Sequence, residues 1–210
     1  MKPLIILLIF SIVLFLGCVT NTQDQAKQQY ISLSQKSILD PHNYYAQYEY
    51  VTANPNETAK IDQMNLFVLS DMNKLDMKLE FSASMAISKD PINTQIFFLS
   101  EFNKSYICLN GKCTEAPSTQ NSNPFPTKEQ LEKTITDANL TIKLMPKVAD
   151  FPEEASCFEV VGQNMVNCYL NDGVIAYFGG TDGKGYMKLK TIQRNILTDN
   201  NFLLPSVPIK

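Results

Sequence analysis

The clearest pattern in the chain is KLDMKLEF, residues 74–81. Leu75, Met77, Leu79 and Phe81 alternate there with Lys74, Asp76, Lys78 and Glu80. Strict alternation predicts a β-strand with one wet face and one buried face, as in an antiparallel sheet. Tyr44, Ala46, Tyr48 and Tyr50 alternate in the same way. So do Met64, Leu66 and Val68, although Phe67 and Leu69 make that run apolar on both faces. TQIFFLS, residues 94–100, predicts another strand. Further strands are predicted near 140–145, 157–161, 165–170, 173–178 and 186–196. Helical spacing occurs twice. Ala26, Tyr30, Leu33 and Ser37 mark a helix over 23–38 that Pro41 ends. Thr127-x-x-Gln130 forms a capping box for a second helix over 127–137, with Leu131 and Ile135 on its apolar stripe. The sum is an α+β fold: a curved, half-open antiparallel sheet of about nine to eleven strands wrapped around one or two helices. It forms a single domain over residues 23–210.

The N-terminus has a different pattern. Residues 4–16, LIILLIFSIVLFL, are apolar except for Ser11, and Lys2 supplies a positive flank. The run suits the apolar core of a signal peptide and falls short of the ~20 residues that span a bilayer. It ends in Leu16-Gly17-Cys18. A small residue directly before a Cys at this point resembles the lipobox of secreted lipoproteins. The resemblance implies that residues 1–17 are a signal peptide and that Cys18 is lipidated as the first mature residue. Residues 18–22 would then be a lipid-anchored polar tether. The alternative is an uncleaved N-terminal signal anchor extended to Val19. A single acyl chain holds only marginally, whereas two chains hold a protein on a membrane durably.

The cysteines fit the same compartment. There are five, and setting Cys18 aside leaves Cys108, Cys113, Cys157 and Cys168. In CLNGKC, Asn110-Gly111 is a strong signal for a type I′ hairpin, which places Cys108 opposite Cys113. Folding CFEVVGQNMVNC about Gly162-Gln163 places Cys157 opposite Cys168. Each pair is a predicted disulfide. A chain bearing a signal sequence makes four free thiols the weaker reading, and the C-x4-C and C-x10-C spacings suit zinc poorly. Three sequons, at Asn56, Asn103 and Asn139, mark candidate glycosylation positions.

Composition narrows the function. The 210 residues are 44% hydrophobic and 19% charged, with 18 Lys and Arg against 21 Asp and Glu, a net charge of −3. That content supports one folded core and argues against intrinsic disorder. Without a basic excess, nucleic acid is excluded as the main partner.

The element order resembles the LolA/LppX-like lipoprotein-carrier fold, a half-open barrel around helices. The local resemblance lies in Cys168-Tyr169-Leu170-Asn171-Asp172-Gly173-Val174-Ile175 and in the closing Asn201-Phe202-Leu203-Leu204-Pro205. It implies a site for acyl chains or other apolar ligands between sheet and helices. The inward residues Leu75, Met77, Leu79 and Phe81 are its candidate lining. One departure counts against a carrier cycle. The carriers hold their closed state with an Arg in an early strand, and the one Arg here is Arg194.

Catalytic material is sparse. His42 is the only histidine and follows Pro41 at a helix-to-strand junction. GGTDGKG, residues 179–185, lacks the spacing of a phosphate-binding loop and reads as a hairpin connection. Glu153-Glu154 reads as a solvated loop. Lys184, Lys188 and Lys190 form either a solvated strand face or a surface attracted to anionic head groups. Tyr44, Tyr45, Phe67, Phe97, Phe98, Phe158 and Phe178 are either ordinary core or the wall of a ligand cavity. No cofactor motif or metal-ligand spacing emerges. The expectation is a non-enzymatic extracytoplasmic lipoprotein, anchored to the cell membrane and binding a lipid or another apolar molecule. The alternative is a structural or interaction module of a cell-envelope assembly, with the same fold and no pocket.

Overall fold

The computed structural model describes residues 22–52, 59–71, 74–85, 91–100, 104–116, 133, 140–146 and 148–206. The expected signal peptide, Cys18, the sequons at Asn56, Asn103 and Asn139 and, except for Lys133, the helix expected over 127–137 lie outside these residues.

Helix α1 (Thr22–Leu39) opens the described chain. Eleven strands follow: β1 (His42–Val51), β2 (Ala59–Ser70), β3 (Leu75–Met85), β4 (Ile92–Leu99), β5 (Lys104–Leu109), β6 (Lys112–Glu115), β7 (Thr141–Met145), β8 (Ala155–Val161), β9 (Met165–Leu170), β10 (Ile175–Gly180) and β11 (Tyr186–Arg194). A 3-10 turn, Asp199–Phe202, lies near the C-terminal end. All the strands join one sheet in the order β6-β5-β4-β3-β2-β1-β11-β10-β9-β8-β7, with every pairing antiparallel. Two meanders are therefore zipped together by the long-range pairing of β1 with β11. Among the described strands, β6 and β7 follow one another in sequence and form the two edges of the sheet.

Cross-strand partners point to one face of a sheet, so the register defines two faces. The front face carries Tyr44, Ala46 and Tyr48 of β1. It continues into β2 and β3 through the pairs Tyr44↔Val68, Ala46↔Leu66, Val68↔Met77 and Leu66↔Leu79. The back face carries Tyr45, paired with Phe67, and Phe97, paired with Tyr106. Here Phe97, Leu99, Tyr106 and the Cys108–Cys113 cystine pack with Leu197 and Phe202 of the C-terminal segment. That cover explains why β2 is apolar on both faces.

The largest core cluster lies at the middle of the sheet. It joins Tyr44, Ala46 and Tyr48 of β1 to Leu189 of β11, Ala176 of β10 and Val166 and Cys168 of β9. The Tyr48 hydroxyl donates to the Ile175 carbonyl at 2.9 Å and so ties β1 to β10 across β11.

The expectation of an α+β sheet wrapped around one or two helices is overturned. The described residues form mostly one eleven-stranded antiparallel sheet, and α1 lies along one side of it, chiefly against β7 and β9. The physical reason is the narrow apolar stripe of α1. Among its described side chains the buried apolar ones are Ala26, Ile31 and Leu33, and the stripe also contains the polar Ser34. Such a stripe covers two or three strands, not eleven. Around it Leu33 packs with Ile142, Phe158, Val160 and Tyr169. Tyr30 meets the Phe158 and Tyr169 rings edge-on, and the Asn167 side-chain amide donates to the Tyr30 hydroxyl at 3.1 Å.

Candidate functional site

On the front face, away from α1, an apolar ladder crosses the sheet. One rung runs Ala46↔Leu66↔Leu79↔Ile96↔Ile107 from β1 to β5. Its neighbours run Tyr44↔Val68↔Met77↔Phe98 and Tyr48↔Met64↔Phe81↔Thr94↔Leu109. Burial falls along the first rung, while Thr94 stays buried within the third before exposed Leu109. Ala46 is fully buried, Leu66, Leu79 and Ile96 are half-buried, and Ile107 is 37% and Leu109 51% exposed. Exposed apolar side chains carried on a continuous apolar face mark a surface suited to an apolar partner.

Leu75, Met77, Leu79 and Phe81 all belong to this face, and all are half-buried. Leu75 and Met77 pack against the central core. Leu79 and Phe81 stand in rungs that continue to β5. Met64 and Met77 add unbranched, polarizable side chains that adapt to varied shapes.

The seven aromatic residues expected either in the core or along the wall of one cavity are dispersed. Tyr44 lies in the central core, Tyr45, Phe67 and Phe97 on the back face, and Phe158 under α1. Phe98 pairs with Met77 on the front face, and Phe178 is 45% exposed on β10.

The back face differs in character. Near the β2–β4 turns a cleft of about 620 Å³ is lined by Gln63, Asn65, Glu80, Asn93 and Gln95 among others. The Gln95 amide donates to Glu80 at 2.8 Å, and Lys78 pairs with Glu80 at 3.0 Å while standing over the Phe67 ring. This wall is polar and largely self-paired.

The chain's only His and only Arg meet at the opposite end of the strands. His42 is buried at the start of β1, and its Nε2–H donates to the Lys36 carbonyl at 2.8 Å, satisfying an acceptor at the C-terminal end of α1. Arg194 sits at the end of β11. Its Nε donates to Asp172 at 3.0 Å, Nη2 to Glu153 at 2.8 Å, and Nη1 also to Glu153. A cleft of about 160 Å³ between them is lined by Asp40, Tyr44 and Asp172 as well. Burial, with the Asp172 carboxylate next in effect, holds the Tyr44 phenol well above its ordinary range and therefore neutral. The guanidinium is engaged by two carboxylates and the imidazole by a backbone carbonyl. This cluster clamps α1, the β9–β10 turn and the loop before β8 together. Glu153 thus anchors a loop.

Both cystines are formed. Cys108 and Cys113 have Cα atoms 3.9 Å apart, and Cys157 and Cys168 have them 4.0 Å apart. Lys184 and Asp182 share the turn between β10 and β11, and Lys190 pairs with Glu49 at 3.1 Å. Tyr186 also donates to Glu49 at 3.0 Å, and the hydrogen bonds from Lys190 and Tyr186 hold that carboxyl below its ordinary value.

Sequence reasoning did not find the C-terminal cover of the back face or the Arg194 clamp. The cover had a signal in the apolar Phe202-Leu203-Leu204. The clamp had none, because Glu153, Asp172 and Arg194 are far apart in the chain. No protein-family model matches the chain, and no curated protein matches it.

Proposed function

We propose that the protein is a membrane-anchored extracytoplasmic lipoprotein whose front face binds a lipid or another apolar molecule. The observation that carries the ligand part is the ladder from Ala46 to Ile107, apolar throughout and progressively less buried toward β5. The Leu16-Gly17-Cys18 sequence supports the anchor, and two cystines suit an oxidising compartment. Binding would be non-catalytic and driven by removing Leu79, Phe81 and Ile96 from water. The lipoprotein-carrier resemblance supports the ligand class alone.

The test uses two variants of the full chain. Cys18→Ser should release the protein from membranes on washing without detergent. Leu79→Asp places a carboxylate in the ladder and should weaken uptake of the fluorescent apolar probe N-phenylnaphthylamine roughly tenfold, leaving membrane retention intact. Retention of the Ser variant would favour the signal anchor. An unchanged titration for the Asp variant, with its unfolding midpoint preserved, would favour the pocketless envelope module.

A further inference from the structure

The geometry points to one end of the sheet as a surface that rests on the lipid bilayer: the end bearing the Asn110-Gly111, Gly162–Asn164 and Thr181–Gly185 turns. This inference rests on the anchor at Cys18.

Helix α1 begins at Thr22, four residues after Cys18. Four extended residues reach at most ~14 Å. The start of α1 is therefore held close to the membrane by any lipid on Cys18. The direction of the helix follows from its contacts with β9. Lys36 Nζ donates to the Asn171 carbonyl, Ser34 Oγ to the Tyr169 hydroxyl, and Tyr30 receives the Asn167 amide. As the helix numbers fall, the β9 numbers fall with them. The helix start therefore lies toward Met165 and the Gly162–Asn164 turn. Antiparallel alternation puts the Asn110-Gly111 and Thr181–Gly185 turns at that same end. The backbone N–H of Thr181 donates to the Asn164 carbonyl at 2.9 Å, joining two of these turns.

The helix also shares the front face. The register Tyr50↔Met187↔Phe178↔Asn167↔Phe158 runs unbroken from β1 to the residues beneath α1. The anchored helix start, exposed Phe178, and the outer end of the apolar ladder at Phe81 and Leu109 thus occupy one face at one end. Lys112 and Lys184, both exposed, lie in or beside the turns of that end. Large apolar side chains flanked by lysines fit the head-group region of a bilayer, where rings and alkyl groups enter the interface and ammonium groups meet phosphates. Presented this way, the rung from Tyr48 to Leu109 is the part of the ladder nearest the membrane, and its ligand is an acyl-chain lipid drawn from that bilayer.

The chain has no Trp, so single Trp probes report without background. Phe178→Trp places one at the proposed surface. Ile196→Trp places one where the side chain is 49% exposed, just beyond the end of β11 and between Asn195 and Leu197, which both bond Asn43 at the start of β1, hence at the far end of the strands. The lipidated full chain is reconstituted on phosphatidylcholine vesicles containing a spin-labelled lipid. The expected result is quenching several-fold stronger at position 178 than at 196. Equal quenching, the reverse order, or no quenching of either probe on vesicle-bound protein overturns the orientation. Adding Cys18→Ser separates the premises. Loss of quenching together with vesicle binding supports the anchored reading. Undiminished quenching at 178 overturns that reading while leaving the surface in place.

Discussion

Replacing Cys157 and Cys168 together by alanine should lower the free energy of unfolding by about 3 kcal/mol. The bridge joins positions 11 apart, and closing that loop in the unfolded chain removes more entropy than closing the 5-residue separation of Cys108 and Cys113. Removing the shorter bridge should cost about 2 kcal/mol, because Asn110-Gly111 already turns its hairpin. Both bridges are buried in core clusters, the longer beside Val166 and Leu170 and the shorter beside Phe97 and Tyr106, so the ranking rests on loop length. Urea unfolding followed by circular dichroism would measure both variants. Equal midpoints for the two variants, or a larger shift for the Cys108 and Cys113 pair, would contradict this ranking.

Stability should also fall steeply above about pH 10. Burial holds the Tyr44, Tyr48 and Tyr169 phenols above their ordinary value, with further upward pushes from Asp172 on Tyr44, Tyr44 on Tyr48, and Tyr30 on Tyr169. Each folded-state pKa is raised, so the associated stability is complete below the unfolded value near 10.0 and is lost as pH climbs toward the folded value. In that window the unfolded chain surrenders phenolic protons that the folded chain keeps. Each tyrosine then subtracts ~1.4 kcal/mol per pH unit. Lys74, held protonated by the hydrogen bonds its ammonium donates to Asp199 and Asp76, shifts the balance the same way. Urea midpoints measured at neutral pH and at pH values above 10 should show the loss, and Tyr44→Phe should make it shallower. A flat profile, or an unchanged slope in Tyr44→Phe, would rule out ionisation of the buried tyrosines as the cause.

Local features of the fold were legible where one residue type dictates one geometry. The alternation at 74–81 forms the first part of β3, and Asn110 and Gly111 take φ of 48° and 80° in the β5–β6 turn. Gly173 has φ of +88°, and a Cβ there would sit 2.4 Å from the backbone nitrogen of Ser37, so glycine lets α1 approach the β9–β10 turn. The turn at Gly162 is longer than two residues but keeps the centre that aligns Cys157 with Cys168.

Long-range features were not legible. Nothing in the alternation announces that β1 pairs with β11, a choice made by residues some 140 positions apart such as Tyr48 and Leu189. The stripe Ala26, Tyr30, Leu33 identifies a helix without saying how much sheet it covers, and it covers one side rather than a central hollow. For the candidate site, the strand pattern placed Leu75, Met77, Leu79 and Phe81 on one face. Their continuation into Ile96, Ile107 and Leu109 depends on register across two pairings and becomes visible only in the folded sheet.

The front-face ladder as a lipid site is tested most directly by native mass spectrometry of the protein extracted gently from its own membranes. The expected spectrum shows a lipid-sized mass beyond the covalent anchor, lost in Leu79→Asp. Protein bearing only its anchor, with no uptake of apolar probes, would contradict a ligand on that face.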